Sequence, residues 1–197
     1  MNLLDLVSGP VGQQFISGLS KQTGESDSKI ASAVSLALPF LIGQMNKNAS
    51  TPSGAESLDK ALNDHSKSSA LSNISALLNS GNMSDGLGIL SHIFGNKQNQ
   101  VAENISKQSG LSTGNVIQIL ATLAPIVMNF LGQEKKEQNV DQGNITGMLG
   151  GLLGGMRNSN QSEMSMIEKM LDQDGDGSIV DDAMDLGSKL LGGFFKK

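Results

Sequence analysis

The stretch Ser20-Lys21-Gln22-Thr23-Gly24-Glu25-Ser26 returns 86 positions later as Ser106-Lys107-Gln108-Ser109-Gly110-Leu111-Ser112. Each copy reads as the end of one helix and the start of the next. A glycine suits the left-handed position just past a helix, and a serine two residues on suits an N-cap. At the same offset Leu4 matches Leu90, Gly9 matches Gly95, Gln14 matches Gln100 and Pro39 matches Pro125, giving nine identities over about 46 ungapped positions. A repeat of this length predicts two copies of one helical unit.

Working outward from the two turns, the pattern on either side is helical. Gly9-Pro10 starts a helix that runs to about Lys21, since proline is tolerated in the first turn. Ser26 opens a second helix, about Asp27 to Asn46, with Ile30, Val34, Leu36, Leu38, Phe40, Leu41 and Ile42 on nearly every face. A helix with no polar face is a buried one, and Pro39 inside it predicts a kink. The second unit copies the plan: Leu87 to Phe94, Asn99 to Ser109, then a buried helix from Thr113 to Leu131 with Pro125 inside. Equivalent prolines in equivalent buried helices predict packing about a pseudo-twofold axis.

The expected fold is therefore all-α: two pseudo-symmetric helical repeats with kinked central helices, plus a C-terminal helix, acidic loop and helix. The division is 1–47 first repeat, 48–86 helical connector, 87–133 second repeat, 134–160 Gly/Met-rich linker and 161–197 acidic loop with closing helix. In the connector, Thr51-Pro52 starts a helix over about 53–62, and Ser69 to Leu78 reads as another. Gly132 to Asn144 reads as a polar loop. In Gly147-Met148-Leu149-Gly150-Gly151-Leu152-Leu153-Gly154-Gly155-Met156 small residues recur four apart, a spacing seen at close helix contacts. The plainer expectation is a loose linker with sticky Leu and Met; the sharper one is a segment that docks a partner.

Composition narrows the function classes. Aromatics are 3% of the chain, without Trp or Tyr, and ten Met join Leu, Ile, Val and Ala in a helical core palette. Cys is absent, which excludes disulfides and thiolate metal sites. The net charge is −5, and residues 161–185 hold eight acids and one base, so the rest of the chain is about +2. A nucleic-acid binder shows a basic face, and none is evident. Met1 to Leu19 has no basic n-region and no long apolar run, so no standard secretory signal is read. The default compartment is the cytoplasm. A periplasmic or envelope location fits a chain already stripped of a signal. The apolar run Met148 to Met156 is too short to span a bilayer.

Chemistry concentrates in Asp172-Gln173-Asp174-Gly175-Asp176-Gly177-Ser178-Ile179. Carboxylates at loop positions 1, 3 and 5, glycine at 6 and isoleucine at 8 make the first two-thirds of an EF-hand calcium loop. Alternate carboxylates on a tight turn converge on one hard cation, calcium first and magnesium second. Ser178 would offer its carbonyl. Ala183 stands where a bidentate Glu belongs, so Asp181 and Asp182 are the available substitutes and a low-affinity or structural site is expected. An acidic cap, with Ser178 and Asp181 in a capping box, is the competing account. It leaves Asp172, Asp174 and Asp176 unexplained, since three adjacent like charges repel. Asn63-Asp64-His65-Ser66-Lys67-Ser68-Ser69 reads as a decayed counterpart that binds no metal.

The turn Ile105 to Ser112 also resembles that of a helix-turn-helix. Its second helix would read DNA through Asn115 and Gln118, yet it carries no Arg or Lys near its start, and phosphate contacts need bases. Of the two histidines, His92 sits among Leu90, Ile93 and Phe94 and reads as structural. No nucleophile elbow or phosphate loop is present, so an enzyme is not expected.

Gly88 to Gly95, Ile105 to Ser112 and Leu120-Ala121-Thr122-Leu123-Ala124-Pro125-Ile126-Val127-Met128 together resemble the bacterial YidB-like family (domain of unknown function 937). Thr51 to Leu58 and an Asp-rich loop before a closing helix resemble it too. The resemblance implies an all-α fold and a bacterial source, and no activity. The function expected is a non-catalytic interaction or structural module, one version of which is a subunit that plugs or scaffolds a larger envelope assembly. It would bind another protein through the Gly/Met/Leu-rich segment or the apolar Phe194-Phe195 end, with oligomers allowed. The alternatives are a calcium-dependent regulator and a helix-turn-helix DNA-binding regulator.

Overall fold

The computed structural model describes residues 8–68, 70, 73–80 and 83–159. Among these the fold is all α, without a strand. The helices are α1 (Pro10–Thr23), α2 (Asp27–Ala49), α3 (Pro52–His65), α4 (Ile74–Ser80), α5 (Ser84–Phe94), α6 (Gln98–Ser109), α7 (Thr113–Glu137) and α8 (Ile145–Ser159). Short 3₁₀ turns at Gly95–Lys97 and Gln142–Asn144 precede α6 and α8.

The two quoted phrases fold alike. Gly24 and Gly110 take φ of 73° and 69°, and their N–H groups donate to the Ser20 and Ser106 carbonyls at 2.9 and 3.0 Å. In this conformation a Cβ is penalised, which is why glycine stands there. The Ser20 hydroxyl donates to the Glu25 carbonyl at 2.7 Å, and Ser106 donates to Leu111 at 2.6 Å, tying each turn shut. Ser26 and Ser112 then accept from the N–H of Lys29 and Asn115, capping α2 and α7.

α2 and α7 are the centre. Both are buried along most of their length, including Pro39 and Pro125. α7 is covered by α5, α6 and α3, and α2 by α8, α6, α3 and α1, while α2 and α7 also touch each other. Pro125 has no N–H, so the Ala121 carbonyl loses its helical donor. Gly86 of α5 lies directly against that carbonyl, and a Cβ at Gly86 would overlap it. The proline thus explains a close approach that only glycine permits.

Three expectations are corrected. α7 does not stop at Leu131. It runs to Glu137, because Gly132 is a contact point rather than a helix stop: its open side sits on the Leu62 carbonyl of α3 and on Ser66 just past its end. The last turn is then held to α3 by the Lys135–Asp59 ion pair at 2.9 Å. The second correction concerns residues 145–159, expected to be a loose linker and found as α8. Its five glycines cost about 5 kcal/mol of helix propensity relative to alanine. Ile145, Leu149, Leu153 and Met156 are all buried, and at about 1.5–3 kcal/mol each they outweigh that cost. α4 begins at Ile74 rather than Ser69, because Asn73 Oδ1 accepts from the Ala76 N–H and starts the helix there.

Gly86→Ala puts a methyl into the Ala121 carbonyl and should lower stability by about 1–3 kcal/mol. Gly88→Ala, where a Cβ meets nothing, should be neutral or slightly stabilising. Urea unfolding of the two variants side by side checks the contrast.

Candidate functional site

Asp172, Asp174, Asp176, Ser178, Asp181 and Asp182 lie outside the described residues, as does the closing helix with Phe194 and Phe195. α8 ends at Ser159, so the acidic loop follows a helix anchored on α2. Among the described residues no three His, Asp or Glu side chains come together as a metal site.

The decayed counterpart is not a loop. Asn63, Asp64 and His65 form the last turn of α3, and its polar groups serve packing. The Asn63 amide accepts from Lys135 Nζ at 3.0 Å and donates to Asp59 at 2.9 Å. His65 Nδ1 lies 2.8 Å from the Ala61 carbonyl, and its Nε2 is 3.9 Å from Asp85. Asn129 of α7 is fully buried and donates to the carbonyls of His65 and Ser68 at 2.8 and 2.9 Å, while its own oxygen accepts from Gln133. One amide thereby ties α7 to the end of α3, giving the Ser68 carbonyl a donor and the His65 carbonyl a second one beside the Ser68 N–H at 3.0 Å.

The side chains assigned to DNA reading are engaged inside the molecule. Asn115 donates to Glu25 at 3.4 Å, and Gln118 donates to Gln22 at 3.2 Å. Both contacts join the start of α7 to the turn that ends α1. His92 is on the exposed side of α5, with Nδ1 2.9 Å from the Gly88 carbonyl of its own helix. Among the described residues two helices, α2 and α7, are long and apolar enough to cross a membrane by length and composition. Of their apolar windows, 67% and 78% are buried inside the fold.

Two surface features remain. On α8 the buried leucine face leaves Gly147, Gly151 and Gly154 exposed, with open space where side chains would stand. The other is a half-open cavity of about 230 Å³ between α1, α4, α5 and α7. Pro125, Ala121, Thr122 and Gln118 form its floor, and Leu77, Leu78, Met83 and Asp85 form walls. It exists because α1 packs on α2 and α4 rather than along α7. The sequence held a signal for it: Met83 and Leu87, four apart, fall off the buried Gly86–Leu90–Ile93 stripe of α5.

The architecture is a helical bundle around two apolar helices, bracketed by twin glycine–serine turns. A family model described as bacterial protein of unknown function (DUF937) matches residues 5–134, and the chain belongs to that family. The match covers both twin turns and ends before the acidic loop. No curated protein matches the chain, and no solved structure does.

Asn129→Ala should remove both hydrogen bonds that tie α7 to the end of α3, at about 0.5–1.5 kcal/mol each, and so cost about 1–3 kcal/mol. Chemical denaturation should show a lower midpoint with an unchanged slope.

Proposed function

We propose that this protein is a non-catalytic bacterial interaction or structural module that carries one low-affinity, EF-hand-like cation loop. The observation that carries the non-catalytic part is the use made of its polar side chains. Gln22, Asn63, Asn115, Gln118, Asn129 and the Asp59–Lys135 pair each join one helix to another. They act as struts of the fold. The cation part rests on the spacing of Asp172, Asp174 and Asp176, with Ser178, Asp181 and Asp182 completing a calcium or magnesium shell.

The same reading takes the chain as a tandem duplication with pseudo-twofold packing. The matched turns support it, and so do the third residues of the two central helices. Lys29 lies beside Gly110 while Asn115 bonds Glu25, so each reaches the other unit's turn. Docking of another protein is assigned to the Gly/Met/Leu-rich α8 or to the apolar segment at Phe194-Phe195, and the compartment is taken as cytoplasmic. The helix-turn-helix alternative is disfavoured, because Asn115 and Gln118 already have partners within the fold.

Calcium titration by calorimetry, with magnesium as competitor, tests the loop. One site per chain is expected, lost in the Asp174→Ala plus Asp176→Ala variant. No heat at millimolar calcium, with unchanged thermal stability, would reduce the loop to an acidic helix cap.

A further inference from the structure

Large apolar side chains are well hidden in this protein, with one exception. Met83 and Leu87 are 37% and 39% exposed, and they are the large hydrophobics exposed among the described residues. They stand one helical turn apart at the start of α5, where the Leu87 N–H donates to the Met83 carbonyl at 2.8 Å. Side chains at this spacing are neighbours on a helix surface. Met83 is also a wall of the 230 Å³ cavity, so the exposed pair and the cavity form one continuous feature. Asp85 sits between them in sequence, lines the cavity, and has a carboxylate that is 67% exposed.

The chain has six phenylalanines. Phe15, Phe40, Phe94 and Phe130 are no more than 4% exposed. The remaining two are the adjacent pair Phe194-Phe195, followed by Lys196-Lys197. We infer that Phe194-Phe195 of the same chain docks on the Met83–Leu87 face with one ring in the cavity, and that Lys196 or Lys197 pairs with Asp85.

Three observations select this occupant. Size is the first: a cavity of about 150 Å³ already accepts a benzene ring, and this one is larger, with Leu77, Leu78, Met83 and Pro125 to contact it. Charge is the second. Among the described residues the cavity is lined by one acid and no base, and the aromatic pair is followed at once by two lysines. Although residues 161–185 are strongly acidic, the lysines lie beyond them. Reach is the third. From Ser159 to Phe194 there are 35 residues, enough extended chain to span about 115 Å. A domain of this size has a radius of gyration of roughly 15 Å, so any face is accessible. Met83 adds a favourable sulfur–aromatic contact.

This inference turns the Phe194-Phe195 alternative inward and leaves the docking of another protein to α8; it does not depend on the cation loop, and its test is separate from calorimetry. The full chain is labelled at the methionine methyl groups, and the Met83 resonance is identified with Met83→Leu. Aromatic rings shift the resonances of nearby methyls. Phe194→Ala plus Phe195→Ala should therefore move the Met83 signal while leaving those of buried Met45 and Met128 in place. Lys196→Glu plus Lys197→Glu should move it partway in the same direction. Both effects should be independent of protein concentration. An unmoved Met83 signal overturns the assignment. A shift that vanishes on dilution overturns it as well, because the rings would then come from a second copy.

Discussion

Everything in this fold follows from hiding α7. From Thr113 to Gln133 it carries no charged side chain, and the stretch from Val116 to Gly132 is largely buried. Such a helix has no stable surface of its own, so its stability is set by what covers it. α3, α5 and α6 do so from three sides, with α2 as a second apolar axis beside it. Two of the covering helices, α5 and α3, are located by features of α7. Pro125 exposes the Ala121 carbonyl that receives α5 at Gly86. Asn129 receives the end of α3. Gly132 allows α3 to come close, and Lys135 fixes it by charge.

These contacts differ in kind, and that matters for what each contributes. The apolar cover supplies most of the stabilisation, because burial of a single Leu or Ile is worth as much as several surface ion pairs. The polar contacts supply register. Asn129 is wholly enclosed, so a shift of one helix against the other would leave several polar groups unpaired at once. The Asp59–Lys135 pair is mostly shielded from solvent, and it too is costly to separate once formed.

Much of this was legible from residues alone. The twin turns were readable because glycine and serine at a fixed spacing have a single conformational use, and the structure has them at Gly24–Ser26 and Gly110–Ser112. What misled was glycine used for space rather than for backbone conformation. Gly132 looked like a helix stop and is a helix contact. The glycines of 147–155 looked like a linker and stand on the outer face of a helix whose leucines face α2. A local pattern cannot separate these uses, since the deciding atoms belong to a helix distant in sequence. The cation loop is legible in spacing, and the described residues end before it. The cavity at Met83 left only a partial trace, the Met83–Leu87 pair off the buried stripe of α5. It arises from where α1 does not pack, and no single segment encodes an absence of contact.

The placement of α8 on α2 has a consequence for how the chain is made. α2 is complete by Ala49, yet part of its surface is covered by α8, about a hundred residues later. At synthesis rates of roughly 5–20 residues per second, that surface waits about 5–20 seconds for its cover. The N-terminal half is thus born incomplete. It depends on nascent-chain neighbours, chaperones or its own transient collapse until the glycine-rich helix arrives.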